Sequence, residues 1–172
     1  MPTPASGRAA PLKSSFPPVA DVEARLLVLG SLPGEVSLRR AQYYGHPQNQ
    51  FWRLMGRVVG RDLPADYEAR LETLQAAGIA LWDVVRTATR AGSLDARIRD
   101  HEPNPLVEFV ATLPALKAVA FNGGTASAIG RRALGEPPGL ALITLPSSSP
   151  AYTLAFERKA EAWMQLRRFL ER

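Results

Sequence analysis

Four runs of apolar residues, each too short to form a typical helix, recur along the chain. They predict buried β-strands over residues 25–29, 79–85, 116–121 and 140–145. Apolar residues spaced three or four positions apart predict helices over residues 49–59, 64–77, 125–134 and from 155 to the C-terminus. Asn104 followed by Pro105 predicts one more helix start. This alternation predicts an α/β fold with three αβα layers around a central, mainly parallel four-stranded sheet.

The N-terminal segment lacks this pattern. Residues 1–22 are rich in Pro, Ser and Ala and have no periodic apolar positions. Such a segment buries too little apolar surface to offset the entropy lost on ordering. We therefore predict a disordered tail over residues 1–22 and a single folded domain over residues 23–172.

Composition excludes several classes of protein. The chain has no cysteine and two histidines, which rules out disulfides, thiolate zinc sites, iron–sulfur clusters and a cysteine nucleophile. No apolar run approaches the roughly 20 residues of a membrane span, and no secretory signal opens the chain. These features predict a cytoplasmic protein without metal or cofactor, nucleoid-associated in a prokaryote. The net charge of +5 permits a polyanionic partner but does not require one.

Four polar loops follow the predicted strands. Ligands of open parallel sheets bind outside the carboxyl ends of the strands, so these loops predict the site. They are the segments GSLPG, VRTATRAGS, NGGT and LPSSSP, at residues 30–34, 85–93, 122–125 and 145–150. Glycines of the first loop let backbone N–H groups approach a ligand closely. The hydroxyls of the last loop suit a phosphate, although a plain polar turn explains them equally well.

The segment YYGHPQNQFW, at residues 43–52, concentrates aromatic, histidine and amide side chains. Tyr44 offers an aromatic face on which a base can stack. Asn49 suits the orientation of a water or the reading of a base edge, and it also suits a simple helix start. Phe51 and Trp52 have the spacing of core residues.

The strings GSLPG, HPQNQFW and LPSSSPAYT, at their spacing, resemble the uracil-DNA glycosylase superfamily. The strings YYGHPQNQFW, ALWDVV, GSLD and AFNGGTA are similar to its hypoxanthine-DNA (deoxyinosine) glycosylase branch. The resemblance runs from Leu26 to the C-terminal helix. It implies a monofunctional, monomeric enzyme of base excision repair. Such an enzyme hydrolyses the N-glycosidic bond of a deaminated base, here hypoxanthine, that is flipped out of double-stranded DNA.

Two positions depart from other branches of this superfamily. Mismatch-specific members carry an amide where this chain has Leu32, and several branches carry a histidine where it has Leu145. The hypoxanthine branch uses asparagines elsewhere, which correspond to Asn49 and Asn122. The resemblance thus implies that Asn49 orients the attacking water. Asn122 is then expected to donate to O6 or N7 of the leaving base.

The resemblance also implies the binding residues. We expect base contacts from the first loop and the stacking aromatic, that is from Gly30, Ser31, Leu32 and Tyr44. We expect phosphate contacts, or a wedge inserted into the duplex, from the last loop, that is from Ser147, Ser148, Ser149 and Tyr152. Ser147 corresponds to a phosphate-binding serine and Ser149 to the wedge position. Serine is a poor wedge, so Tyr152 is the alternative.

Five further polar residues keep two interpretations each. His46 suits a structural hydrogen bond better than catalysis. Asp83 suits either a buried acid with a raised pKa or a turn or ion-pair role. Asp95 suits a helix cap or a brace for its loop. Arg86 and Arg90 suit phosphate contacts or a solvated loop.

Three other functions stay open at this point. The first is a uracil or thymine mismatch glycosylase of the same fold. The second is a nucleotide-binding or hydrolase domain, although the chain lacks the G-x-x-x-x-G-K-[ST] and G-x-S-x-G motifs of those classes. The third is a DNA-binding module without catalytic activity.

Overall fold

A computed structural model describes residues 11–171 of the chain. Its strands are β1 (Leu12–Ser14), β2 (Leu26–Gly30), β3 (Ile79–Asp83), β4 (Val85–Thr89), β5 (Arg99–Pro103), β6 (Ala118–Asn122) and β7 (Ala141–Leu145). Its α-helices are α1 (Glu35–Arg40), α2 (Phe51–Val59), α3 (Tyr67–Ala76), α4 (Leu106–Ala111), α5 (Gly124–Leu134) and α6 (Phe156–Met164). Short 3-10 helices cover Asp95–Arg97 and Gln165–Phe169. No helix in the described part of the chain is long and apolar enough to cross a membrane.

The central sheet is parallel and has the strand order β3-β2-β6-β7, which confirms the predicted fold class. Every residue of β2, β3 and β6 is buried, as continuous apolar strands covered on both faces require. Alternate residues of β2 serve two cores. Leu27 and Leu29 pack on one face with α4 and α5, whereas Leu26 and Val28 pack on the other with α2 and α6.

A second, antiparallel sheet of order β1-β4-β5 was not predicted. The apolar run 79–85 covers two strands, because the chain leaves the parallel sheet after Asp83 and enters β4 at Val85. The expectation of a loop over residues 85–93 is therefore wrong for its first half. Residues 90–93 remain a loop beside the central sheet.

The prediction of a disordered segment is wrong for residues 11–22, while residues 1–10 lie outside the described residues. Leu12 pairs with Thr89 in the second sheet, and Val19 exchanges backbone hydrogen bonds of 2.9 and 2.8 Å with Leu81. The indole of Trp82 donates to the carbonyl of Phe16 at 2.9 Å. These contacts use backbone groups, which every sequence carries, so the composition of the segment did not reveal them.

Asn104 does not cap a helix, which corrects a second expectation. Helix α4 begins at Leu106, two residues later, and has no side-chain cap. The buried amide of Asn104 instead donates to the carbonyls of Asp83 at 2.8 Å and Val85 at 3.2 Å. It thereby fixes the bend that connects the two sheets, directly below the carboxyl end of β3.

Candidate active site

A cavity of about 660 Å³ opens at the carboxyl ends of the central strands. Residues from the predicted loops line it, together with parts of the 43–52 segment. Its volume suits a small-molecule ligand or a flipped nucleotide. The sequence-predicted residues all contribute to its lining: Gly30, Ser31, Leu32, Tyr44, Asn49, Asn122, Ser147, Ser148, Ser149 and Tyr152.

Asn49 and Asn122 are joined through one buried residue, Ser148. The Ser148 hydroxyl donates to Oδ1 of Asn49 at 2.8 Å and accepts from Nδ2 of Asn122 at 2.9 Å. The backbone N–H of Ser148 donates to Oδ1 of Asn122 at 2.9 Å. Oδ1 of Asn49 also accepts from the N–H of Phe51, at 2.9 Å. Because Oδ1 of each asparagine accepts these hydrogen bonds, the orientations of both side-chain amides are fixed.

The amide nitrogens are left as the reactive groups of this network. Nδ2 of Asn122 donates one of its two N–H groups to the hydroxyl of Ser148. Nδ2 of Asn49 makes no hydrogen bond in this network, which Asn49 joins through Oδ1. Both residues line the cavity, so their remaining N–H groups can donate to a ligand there. Asn49 also fits the alternative role of a simple helix-start residue, because it lies just before α2 and its Oδ1 accepts from the N–H of Phe51.

Ser148, which was expected to contact DNA, is buried inside the protein. It is 1% exposed, and its hydroxyl and backbone groups bond inside the protein. The carbonyl of Ser148 further accepts from the N–H of Gln50 at 3.0 Å. A residue so enclosed cannot reach a DNA phosphate, so its expected phosphate contact is replaced by a bridging role. Sequence reasoning missed this role because the serine lies far from both asparagines along the chain.

Tyr44 packs one face of its ring on Phe51, with ring centroids 3.7 Å apart and planes 17° apart. Only the opposite face is therefore left for a stacked base. The residue adopts a left-handed backbone conformation (φ 52°), and the indole of Trp52 donates to its carbonyl at 3.2 Å. Burial, and next the negative charge of Asp83, raise the pKa of the Tyr44 hydroxyl well above its usual range, so it remains protonated.

Asp83 ends β3 at the floor of the cavity and is 3% exposed. The pKa of its carboxyl is raised from 3.8 to about 7. Burial is the main cause, the negative charge of Asp95 adds to the rise, and the positive charge of Arg90 opposes it. Of the two interpretations from sequence, the buried acid with a raised pKa is confirmed. No salt bridge pairs Asp83 with a cation in the described structure.

Two polar side chains, the half-buried Asp95 and the buried Arg90, brace the first loop. The Ser31 hydroxyl donates to Asp95 at 2.6 Å, so Asp95 braces the loop as one interpretation had it. Arg90 is fully buried, and its guanidinium donates to the carbonyls of Leu32, Pro33 and Gly92. Arg90 thus holds the loop from inside, and its suggested phosphate contact is wrong. Arg86 is exposed.

The last loop is stiffened by its own serines and by a lysine. Ser147 accepts a hydrogen bond from the N–H of Ser149 at 3.1 Å. The carbonyl of Ser149 accepts from Nζ of Lys159 at 3.1 Å, and this Nζ lies 5.4 Å from the ring centre of Tyr152. Lys159 is fully buried, which sequence reasoning missed. Its position on the inward face of α6, beside Ala160, was the available signal.

The rim also contains the start of α5 and an exposed histidine. Helix α5 has no side-chain cap, and its N-cap residue Gly123 and first two residues, Gly124 and Thr125, line the cavity. Its free N–H groups and the positive end of its dipole therefore face any ligand. His46 is exposed, and its Nδ1 accepts from the N–H of Gln48 at 3.0 Å, which is a structural hydrogen bond.

Comparisons with known proteins agree with this geometry. The model of the Uracil DNA glycosylase superfamily matches residues 17–169. A Hypoxanthine DNA glycosylase from Methanosarcina acetivorans is 39% identical over 153 residues, which cover 88% of this chain and 96% of that protein. A Hypoxanthine DNA glycosylase from Methanosarcina barkeri is 49% identical over 112 residues, covering 64% of this chain and 71% of that protein.

The fold has a solved counterpart as well. A solution NMR structure from Methanosarcina acetivorans, described there as a candidate uracil DNA glycosylase, superimposes with a TM-score of 0.81 at 38% identity. The match covers 94% of this chain and 99% of the other. Family match, relatives, fold and the polar cavity at the strand ends lead to one conclusion: the chain belongs to the Uracil DNA glycosylase superfamily and is a DNA glycosylase.

Proposed function

We propose that this DNA glycosylase removes hypoxanthine from double-stranded DNA by direct hydrolysis of the N-glycosidic bond. The observation that carries the proposal is the bridge from Asn49 through Ser148 to Asn122, which aims two amides into one cavity. The two relatives named Hypoxanthine DNA glycosylase support the choice of base.

The chemistry follows from the charges that develop. Cleavage leaves positive oxocarbenium character on the sugar and negative charge on the departing base. Nδ2 of Asn122 donates to O6 or N7 of the base, and the start of α5 adds its positive dipole. Such fixed dipoles stabilise the leaving group without reorganising during the reaction.

The attacking water needs orientation more than deprotonation, because the oxocarbenium ion is a strong electrophile. Nδ2 of Asn49 donates to the oxygen of this water, and the Ser148 and Phe51 contacts hold the amide in place. A direct attack by water also agrees with the lining of the cavity. In the described structure no lysine lines it, and a lysine amine is the usual nucleophile for a covalent intermediate with a sugar aldehyde.

The test is single-turnover excision at saturating enzyme from duplexes that carry hypoxanthine or uracil. Asn49→Ala should slow excision by roughly two orders of magnitude, about 3 kcal/mol in the barrier. Asn49→Asp should keep only partial activity, because one carboxylate oxygen replaces Oδ1 while the other accepts a hydrogen bond from the water instead of donating one as Nδ2 does. The matched control is Gln48→Ala, an exposed amide next in the chain and outside the cavity lining.

Each other outcome points elsewhere. Near-wild-type excision by Asn49→Ala would move the water-binding group to another residue. Faster release of uracil than of hypoxanthine by the unaltered protein would support a uracil enzyme, the activity suggested by the description of the NMR structure. Binding without release of any base would support a DNA-binding module.

A further inference from the structure

A second cavity, of about 800 Å³, is lined by residues of α2, α3 and α6 and by parts of the chain between and after them. It shares no lining residue with the active-site cavity. Five of its lining residues are arginines and one is an aspartate, a net charge of +4 against +5 for the whole chain. We call this cavity the arginine groove, and its charged residues are Arg53, Arg57, Arg61, Asp62, Arg70 and Arg167.

Two aromatic rings hold three of these guanidinium groups in place. Those of Arg53 and Arg57 lie 3.9 and 5.4 Å from the ring centre of Phe156. That of Arg70 lies 5.3 Å from the ring of Trp52. Guanidinium groups therefore already lie over both rings, where a nucleic-acid base would have to stack.

The groove has few carboxylates to balance its arginines. Among residues 11–171, Arg57 is the one arginine of the five that forms a salt bridge, with Glu157 at 2.9 Å, and both partners are exposed. Arg53 and Arg57 are four residues apart in α2, a spacing that sets like charges side by side and weakens a helix. An anionic partner offsets such repulsion, and each guanidinium can offer two parallel N–H groups to a carboxylate or a phosphate.

The groove extends away from the edge of the sheet where the active-site cavity opens. Helix α2 begins beside Asn49 of that cavity, and its nine residues span about 13 Å before Arg61 follows. The carbonyl of Leu170 accepts from Arg25 at 2.8 Å, and Arg25 directly precedes β2. Arg167, one 3-10 turn before Leu170, therefore lies near the opposite edge of the sheet. A straight duplex across the mouth of the active-site cavity leaves Arg61 and Arg167 without contact.

Apolar side chains in the same groove indicate the kind of anion. Leu63, Phe156 and Met164 line it, and Met164 is 36% exposed. A phosphate has no apolar surface to cover these side chains, whereas an acidic peptide carries carboxylates and apolar side chains on one backbone. We propose that the arginine groove binds an acidic segment of a partner protein that also presents a large apolar side chain. The partner and the DNA then bind at the same time, because their sites share no residue.

The probe is a fluorescein-labelled, glutamate-rich peptide that contains phenylalanine, and its binding is measured by fluorescence anisotropy at low salt. It should bind about tenfold or more tightly than a peptide in which glutamine replaces glutamate. It should also bind about threefold or more tightly than one in which alanine replaces phenylalanine. These two comparisons test the charge and the apolar side chain of the partner separately.

Substitutions then locate the peptide on the protein. Arg61→Glu and Arg167→Glu should each weaken binding of the glutamate-rich peptide by about tenfold or more. Arg132→Glu makes the same change of charge at an exposed arginine of α5 outside both cavities, and it should weaken binding by less than about threefold. Circular dichroism checks that each variant is folded. The neutral Arg61→Gln and Arg167→Gln serve where a charge reversal unfolds the protein.

Duplex binding and excision separate a protein partner from DNA. Both groove variants should keep duplex affinity and single-turnover excision within about twofold of the unaltered protein, and saturating peptide should not slow excision. If the variants weaken duplex binding as much as peptide binding, the groove is a DNA surface and the proposal is overturned. Equal losses in Arg132→Glu, or equal binding of the glutamine peptide, would overturn it as well. None of these results depends on which base the enzyme removes, so the proposed function is tested separately.

Discussion

Replacing Asp83 by asparagine should stabilise the protein at pH 8, although Asp83 lies in the active site. The carboxyl is buried, and its pKa is raised from 3.8 to about 7, first by burial and then by the charge of Asp95, with Arg90 opposing. Each pKa unit corresponds to about 1.4 kcal/mol. A rise of roughly three units means that holding the ionised carboxylate in the fold costs about 4 kcal/mol.

The sign of the pH dependence follows from proton binding. Below about pH 4, Asp83 is protonated in both folded and unfolded protein, and it contributes no difference. Between about pH 4 and 7 the unfolded chain has released this proton and the folded protein retains it, so stability falls as pH rises. Above pH 7 the full penalty applies. Tyr43 and Tyr44 also lie near this carboxyl, and the pKa of both is raised, so neither titrates in this window.

The assay is urea unfolding of the unaltered protein and of Asp83→Asn at several pH values from 4 to 8. The difference in the free energy of unfolding should be near its minimum at pH 4 and should grow by about 4 kcal/mol in favour of the variant by pH 8. Asp62→Asn, at an exposed position, should follow the unaltered protein. Parallel curves for the unaltered protein and Asp83→Asn would refute the reasoning, because they would mean that Asp83 titrates alike in both states.

Four further predictions concern the two polar loops and the chemistry. Ser148→Ala should slow excision about tenfold at unchanged duplex affinity, because the side-chain amides of Asn49 and Asn122 each lose a hydrogen bond that positions them. Single-turnover rates and fluorescence anisotropy test this, and a loss of affinity alone would contradict it. Ser147→Ala should weaken duplex binding by about 1–3 kcal/mol and spare the chemical step, with the exposed Ser14→Ala as control. Lys159→Met should weaken duplex binding by loosening the carbonyl of Ser149, whereas Lys117→Met, at an exposed lysine, should not. Excision should be unaffected by excess EDTA, since the chain has no cysteine and two histidines; loss of activity restored by one specific metal would contradict this.

Local patterns in the sequence determined the architecture. Apolar runs, helical spacing and the Asn104–Pro105 start signal depend on neighbours within a few residues. Among residues 11–171 they predicted the parallel sheet, five of the six α-helices and the rim where the cavity lies. The exception, α1, has six residues, which is too short to show a period, and it lacks the Asn–Pro start signal that predicted the equally short α4. The rule that ligands bind at the carboxyl ends of the strands selected the loop that contains Asn122. The pairing of Asn49 with Asn122 followed instead from the resemblance to the hypoxanthine branch.

Tertiary structure alone decided how the polar groups are paired. The bridge through Ser148, the internal bonds of Arg90 and the carbonyl contact of Lys159 each join residues from different elements. The same holds for the order of residues 11–22, which depends on strand β4 and on Leu81. A hydrogen bond forms according to distance and direction in space, and no local period records these quantities. The arginine groove, which brings α2 beside the C-terminal residues, was therefore visible only once the chain was folded.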